Sequence, residues 1–202
     1  MSNDAMRRHG GHDHPDRRGR LVVISGPAGS GKTTIVRRLI QRPDLRLVVS
    51  ISATTRAPRP GEVHGRDYYF YSREEFEAIR GDLLESAEVH GNHYGTPAAP
   101  VRRAVEQGTC VALVIDVQGG FQVREKFPAA LLVFIQIPGL DVLEERLRAR
   151  GTDSPETIEM RLANARRELE LSARYDYQVV NEDLDRTVEQ LAAILNQNGC
   201  GA

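Results

Sequence analysis

Tryptophan is absent, aromatic residues make up 5% of the chain, and there are only two cysteines in 202 residues. Two widely separated thiols, Cys110 and Cys200, exclude a small disulfide scaffold. Cys110 lies in an apolar run and reads as buried, whereas Cys200 lies in a Gly-rich tail and reads as exposed. Neither sign of charge is in excess, with Lys plus Arg at 27 and Asp plus Glu at 28. That balance argues against binding nucleic acid through bulk charge. No apolar run approaches the roughly 20 residues that a bilayer-spanning helix requires. The opening stretch, MSNDAMRRHGGHDHPDRRGR, lacks the apolar segment of a secretory signal. It reads as a solvated, disordered tail over residues 1–19, its histidines His9, His12 and His14 included. The expected location is cytoplasmic, with no membrane partner.

What remains is ordinary globular material, 40% hydrophobic and 27% charged, in a length that suits one α/β domain. Three wholly apolar runs, Leu21–Ile24, Val111–Ile115 and Leu131–Ile135, are separated by stretches of helical periodicity. Strands apolar on both faces belong to a parallel sheet covered by helices, so the fold class is α/β. Further strands are expected at Leu47–Ile51, Tyr68–Tyr71 and Tyr177–Val180, and helices near 73–80, 98–107 and 184–197. Ser72 with Glu75 has the spacing of a capping box. Extended segments over 83–96 meet at a hairpin-like turn, Gly91-Asn92. The two prolines and the glycine between Ala53 and Gly61 predict no regular structure there. From Leu140 to about Ala173 the pattern is helical and rich in Arg and Glu, broken at Gly151–Pro155. Most of those charges read as solvated faces carrying ion pairs, such as Glu145 with Arg148 or Arg150.

The first run leads straight into Ser25-Gly26-Pro27-Ala28-Gly29-Ser30-Gly31-Lys32-Thr33-Thr34, which satisfies the phosphate-loop pattern in its required context of strand, turn and helix. Glycines let backbone N–H groups curl round a phosphate with no Cβ in the way. The helix that follows adds its positive end. Lys32 is expected to reach the β- and γ-phosphates and Thr33 to offer its hydroxyl to Mg²⁺. The chain therefore reads as a nucleoside triphosphate binder. A second anion site is suggested by Arg56 and Arg59, three apart in a Pro-stiffened loop, which suit a dianionic phosphate, with Tyr68 adding a hydroxyl.

The run Ser52–Phe70 resembles the signature of the guanylate kinase family. Gly26–Thr34, Glu85–Thr96, Asp116–Gly119, Arg146–Arg161 and Tyr177–Leu184 agree with that family in order and spacing, and the resemblance covers roughly residues 20–197. It implies a P-loop NTPase fold: a central parallel sheet flanked by helices, a small mixed α/β GMP-binding insertion, and a helical lid. The core would occupy about 20–50, 98–143 and 174–197, the GMP-binding part about 51–97 and the lid about 144–173. It also implies transfer of the γ-phosphoryl group of ATP, with Mg²⁺, to GMP and dGMP. Arg56, Arg59, Tyr68 and Tyr94 would grip the GMP phosphate; Glu85 would face the guanine edge, with Ser52, Thr96 and Asp116 around it. Guanine presents N1–H and an N2 amine side by side, which one carboxylate accepts together, whereas adenine would set a lone pair against it. Arg146 and Asn181 would border ATP with Gly26–Thr34, and Arg150 and Arg161 would close over the transferring group beside Lys32 and Arg56.

The chain departs from the family at Val114, where an acidic residue is frequent, and at Ser86 and Val117, where tryptophan is frequent. The first departure removes a carboxylate from the metal's surroundings; the others bear on packing. A non-catalytic binding module of the same fold is disfavoured by the intact Lys32 and Thr33. A kinase for another phosphate acceptor is disfavoured by Glu85–Thr96, and a GTPase switch by the lack of an Asn-Lys-x-Asp motif. Whether the chain is a monomer or a homo-oligomer is left open by these patterns.

Overall fold

The computed structural model describes residues 18–89, 91–149 and 154–202. Most of the expected N-terminal tail, His90, Arg150 and residues 151–153 of the expected break fall outside them. Along the chain the elements are β1 (Leu21–Ser25), α1 (Lys32–Leu39), β2 (Leu47–Val49), β3 (Ala53–Thr54), β4 (Tyr69–Phe70), α2 (Arg73–Ile79), β5 (Leu83–Val89) and β6 (Asn92–Pro97). There follow α3 (Ala98–Glu106), β7 (Cys110–Val114), α4 (Val117–Lys126), β8 (Leu131–Gln136), α5 (Leu140–Ala149), α6 (Pro155–Leu171), β9 (Tyr177–Val180) and α7 (Leu184–Leu195).

The main sheet has the order β2-β7-β1-β8-β9, with every pairing parallel. All five residues of β1 are buried because it is the central strand. Its side chains alternate between two cores. Val22 and Ile24 pack with Ile35, Leu39 and Leu191 beneath α1 and α7. Leu21 and Val23 pack with Val101, Val105 and Val123 beneath α3 and α4. The loops at the carboxyl ends of these strands carry the site, as is usual for open parallel sheets.

A second sheet, β4-β3-β6-β5, is mixed, with β3 parallel to β4 and antiparallel to β6. The expectation of no regular structure after Ala53 is corrected here. Ala53 and Thr54 pair with Gly95 and Tyr94, because extended backbone needs only two residues to bridge strands that already exist. The loop bearing Arg56 is thereby anchored beside Tyr94. The Ser72–Glu75 capping box is formed in both directions at the start of α2.

α4 fastens this second sheet to the main body. Gln122 accepts from Ser86 N–H at 3.0 Å and donates to Ser86 C=O at 3.1 Å, while Lys126 Nζ donates to Leu83 C=O at 2.8 Å. Val117 is buried, as a packing role requires. α5 and α6 share a small core of their own, Ile137, Leu143, Leu147, Ile158 and Ala165. On α5 Arg148 pairs at 2.6 Å with Glu144, one full turn before it, rather than with Glu145; the expected Glu145–Arg150 pair lies outside the described residues.

The C-terminus also departs from expectation. Cys200 is fully buried, as is Cys110. Residues 199–202 fold back along the 44–46 segment: Arg46 N–H donates to Cys200 C=O at 2.9 Å and Ala202 N–H to Asp44 C=O at 3.0 Å. The Arg46 guanidinium donates to the carbonyls of Gly201 at 2.6 Å and Gly199 at 3.1 Å. A Gly-rich ending looks solvated in sequence because its partners lie at the far end of the chain.

Among the described residues no helix is long and apolar enough to cross a membrane.

Candidate active site

The phosphate loop bridges β1 and α1. Gly26, Gly29 and Gly31 have φ of 145°, 96° and 92°, a region that side chains rarely enter. A Cβ on Gly26 would lie 2.3 Å from Ile135 O, and one on Gly31 would lie 2.5 Å from Asn181 Nδ2. Both glycines are therefore required by close approach as well as by backbone conformation. α1 begins at Lys32 and has no acidic residue in its first turn, so its positive end is left for an anion. Lys32 Nζ folds over the loop and donates to Pro27 C=O at 3.0 Å and to Gly26 C=O. Thr33 and Thr34 lie exposed at the helix start, while Ser30 is buried with its Oγ unpartnered.

Asn181 braces this loop from the end of β9. Its Nδ2 donates to Ser30 C=O at 2.8 Å, and its Oδ1 accepts from Thr187 Oγ1 at 3.2 Å. Arg146, on α5, donates to Asn181 C=O at 3.0 Å. A cavity of about 260 Å³ is lined by Gly29, Gly31, Thr34, Arg146, Asn181 and Glu182. Cutting Asn181 to alanine strands the buried Ser30 carbonyl, while the Thr187 hydroxyl keeps Asp183 C=O at 2.7 Å. We expect Asn181→Ala to cost about 1–3 kcal/mol in urea denaturation and to weaken ATP binding. A variant as stable as the parent would remove the brace from this account.

The second sheet gathers a separate group. Arg56 lies 5.4 Å from the ring centroid of Tyr68, and the Tyr68 and Tyr94 rings are 6.3 Å apart. Glu62, which sequence reasoning did not single out, organises the loop: Oε1 takes Arg56 Nη2 at 2.9 Å and Oε2 takes Arg59 N–H at 2.7 Å. Its signal was an acidic residue inside a run of arginines, prolines and glycines. The Arg59 side chain is exposed.

Glu85, on β5, retains only 4% of its surface and accepts from the Thr96 hydroxyl at 2.7 Å. Burial pushes its carboxyl up to about 7, with the neighbouring Asp116 charge adding to the rise and the Thr96 hydrogen bond opposing it. Asp116 itself caps α4, accepting from Gly119 N–H at 2.7 Å, and its carbonyl accepts from Ser25 Oγ at 3.2 Å. The closeness of Glu85 to α4 depends on Gly119, whose Cβ would sit 3.1 Å from Glu85 Oε2.

Thr33 on one side and Ser52 and Tyr68 on the other meet at a common cavity. A cavity of about 330 Å³ is lined by Thr33 of the phosphate loop, by Ser52 and Tyr68 of the second sheet, and by Val114. Arg161 lies half-buried on α6, while Arg150 falls outside the described residues. α6 also contributes a residue that was read as part of a solvated face. Glu168 has a buried, unpartnered Oε2, and burial raises its carboxyl, with Lys32 opposing and Asp116 assisting. Only the packing of α6 across the cleft could reveal it.

A sequence model of the guanylate kinase family matches residues 18–198. The guanylate kinase of Gloeobacter violaceus is 57% identical over 178 residues, covering 87% of this chain and 86% of that protein. The guanylate kinase of Rhodococcus jostii is 54% identical over 183 residues, covering 89% and 88%. The crystal structure of guanylate kinase from Anaplasma phagocytophilum superposes with a TM-score of 0.72 at 35% identity, covering 91% of this chain and 87% of that one. With a phosphate loop whose Thr33 shares a cavity with Ser52 and Tyr68 of the second sheet, and with these relatives spanning nearly its whole length, the chain belongs to the guanylate kinase family.

Proposed function

We propose that the chain catalyses ATP-dependent phosphorylation of GMP to GDP, and of dGMP to dGDP, by direct in-line transfer. The observation that carries this reading is the cavity shared by Thr33, Ser52 and Tyr68, across which a triphosphate held by the phosphate loop would meet a monophosphate held by the second sheet. Gly26–Thr34 would wrap the ATP phosphates, with Arg146 and Asn181 along the nucleotide's edge. Residues 51–97 would hold GMP: Arg56, Arg59, Tyr68 and Tyr94 on its phosphate, Glu85 on N1–H and N2 of guanine, with Ser52, Thr96 and Asp116 around the base. The helices over 144–173 would act as the lid.

The nucleophile is a GMP phosphate oxygen, anionic near neutral pH, so no general base is required. Alignment and charge neutralisation are the main tasks. Lys32 and Arg56 would meet charge from the two substrates, and Arg150 and Arg161 would add charge on lid closure, which also excludes water and suppresses ATP hydrolysis. Mg²⁺ would arrive with ATP, taking the Thr33 hydroxyl and phosphate oxygens. Among the described residues no cluster of three acidic, His or Cys side chains could hold a metal alone. The thin protein donor set, with Val114 in place of an acid, suits an ion that keeps much of its water.

A coupled assay of ATP against GMP, AMP, CMP and UMP tests the reading. GMP should be preferred by at least about a hundredfold in kcat/KM. Equal use of AMP would discard the role given to Glu85, and no transfer to any of the four would discard the reaction.

A further inference from the structure

Cys110 and Cys200 meet at the end of the main sheet opposite the phosphate loop. Cys110 opens β7 and Cys200 lies in the returning C-terminal segment; both are free thiols and fully buried. The backbone of Arg46 ties them together: its carbonyl accepts from Cys110 N–H at 2.8 Å, and its N–H donates to Cys200 C=O at 2.9 Å. Cys110 Sγ lies 3.8 Å from Gly199 O, the carbonyl just before Cys200, and each thiol is the largest influence on the ionisation of the other. Both side chains belong to one core cluster.

We propose that Cys110 and Cys200 are a modification site, a dithiol that a peroxide oxidises to a reversible intrachain disulfide fastening the C-terminal segment to the sheet.

The surroundings divide the roles. The Cys110 sulfur accepts Arg20 N–H at 3.2 Å. The neighbouring Cys200 thiol lowers the Cys110 thiol against the effect of burial, with the Arg20 amide and the charges of Arg46 and Arg20 helping. Cys110 and burial together push Cys200 up. The Arg20 N–H on its sulfur favours the thiolate at Cys110, which makes Cys110 the nucleophile and Cys200 the resolving thiol. The Cys110 thiolate attacks one peroxide oxygen; the O–O bond breaks, giving a sulfenic acid and hydroxide, which the displaced thiol proton turns into water. The Cys200 sulfur then attacks the Cys110 sulfur, the S–O bond breaks, and the leaving hydroxide departs as water with the Cys200 proton. Two thiols lose two electrons and the peroxide gains them. A dithiol reductant reverses the result by exchange.

The test uses the full chain, treated with hydrogen peroxide at neutral pH, unfolded in iodoacetamide and weighed intact. The parent should lose two hydrogens in mass and take up no label, recovering two labels after dithiothreitol. Trypsin should release a linked pair of peptides, 104–124 with 187–202. Cys200→Ser should instead hold a sulfenic acid at Cys110, captured by dimedone, with no link. The linked form should melt about 5–10 °C higher than the reduced form, because the bridge restricts the unfolded chain. Two alkylatable thiols after peroxide, sulfinic acid at either cysteine without a link, or links between chains would each overturn the site. A linked chain that melts no higher than the reduced one would overturn the fastening.

Discussion

Replacing Lys32 by alanine should lower kcat/KM for ATP-dependent GDP formation by about 10³-fold or more, while the melting temperature hardly moves. The asymmetry comes from where the side chain sits. Lys32 is the first residue of α1, and its ammonium folds over the phosphate loop against the carbonyls of Pro27 and Gly26. It contributes little to either hydrophobic core, so its loss costs the fold no more than roughly 1 kcal/mol. In the reaction, charge gathers on the equatorial oxygens of a phosphoryl group in flight, and a fixed ammonium there stabilises the transition state more than bound ATP. Steady-state kinetics with varied ATP separates the two effects. A tenfold loss confined to KM would mean that Lys32 only holds ATP, and the role given to it in transfer would fall.

Glu85→Gln should lower kcat/KM for GMP by about 10²–10³-fold and leave ATP handling nearly unchanged. A carboxylate accepts both guanine donors, whereas a glutamine amide turns a donor of its own toward one of them. The pH profile gives a second signature. Glu85 titrates at about 7 in the free protein because burial disfavours its charged form. Below that pH it is protonated and no longer accepts two donors, so kcat/KM for GMP should fall by about tenfold per unit. GMP adds a limb of its own near pH 6, where its phosphate takes up a proton. In Glu85→Gln only that second limb should remain; an unchanged profile would show that the carboxylate is not what titrates.

Stability should move in the opposite sense. Glu85 is raised from 4.5 when unfolded to about 7 when folded, so its contribution is most favourable below pH 4.5 and is lost as pH rises through 7. At pH 8 the buried charge costs about 2–4 kcal/mol. Glu85→Gln, which still accepts the Thr96 hydroxyl, should therefore be more stable than the parent at pH 8 and close to it at pH 4. Chemical denaturation at the two pH values reads this directly. A group that recognises a base through a buried carboxylate weakens the fold at working pH, which is the expected cost of a prepared site.

Much of this was legible in the sequence, and the reason is local. The phosphate loop, the strand before it and the helix after it are contiguous, so spacing alone shows Gly26, Gly31 and Lys32 acting together. Wholly apolar strands announced a parallel sheet, and the capping box at Ser72 marked its helix. The Arg56–Arg59 fork was visible as composition, though not the Glu62 carboxylate that organises it, since an acid among arginines looks like ordinary surface. Asp116 was expected near the base; its closest bonds make it the cap of α4 and the charge beside Glu85. Glu168 and Cys200 were misread for one reason: each is buried by a segment distant in sequence, across the cleft for one and along residues 44–46 for the other.

The sequence by itself determined the fold class, the phosphate-loop motif and the family, because these rest on periodicity and on motifs whose residues are neighbours along the chain. Only the tertiary structure decided that Gln122 and Lys126 of α4 hold Glu85 beside Asp116, that Asn181 braces the phosphate loop, and that Cys110 lies against Cys200. Burial and long-range contact are properties of the folded chain: a carboxyl is raised to about 7 only once water has been removed, and a thiol is lowered only once distant donors and charges are brought to it.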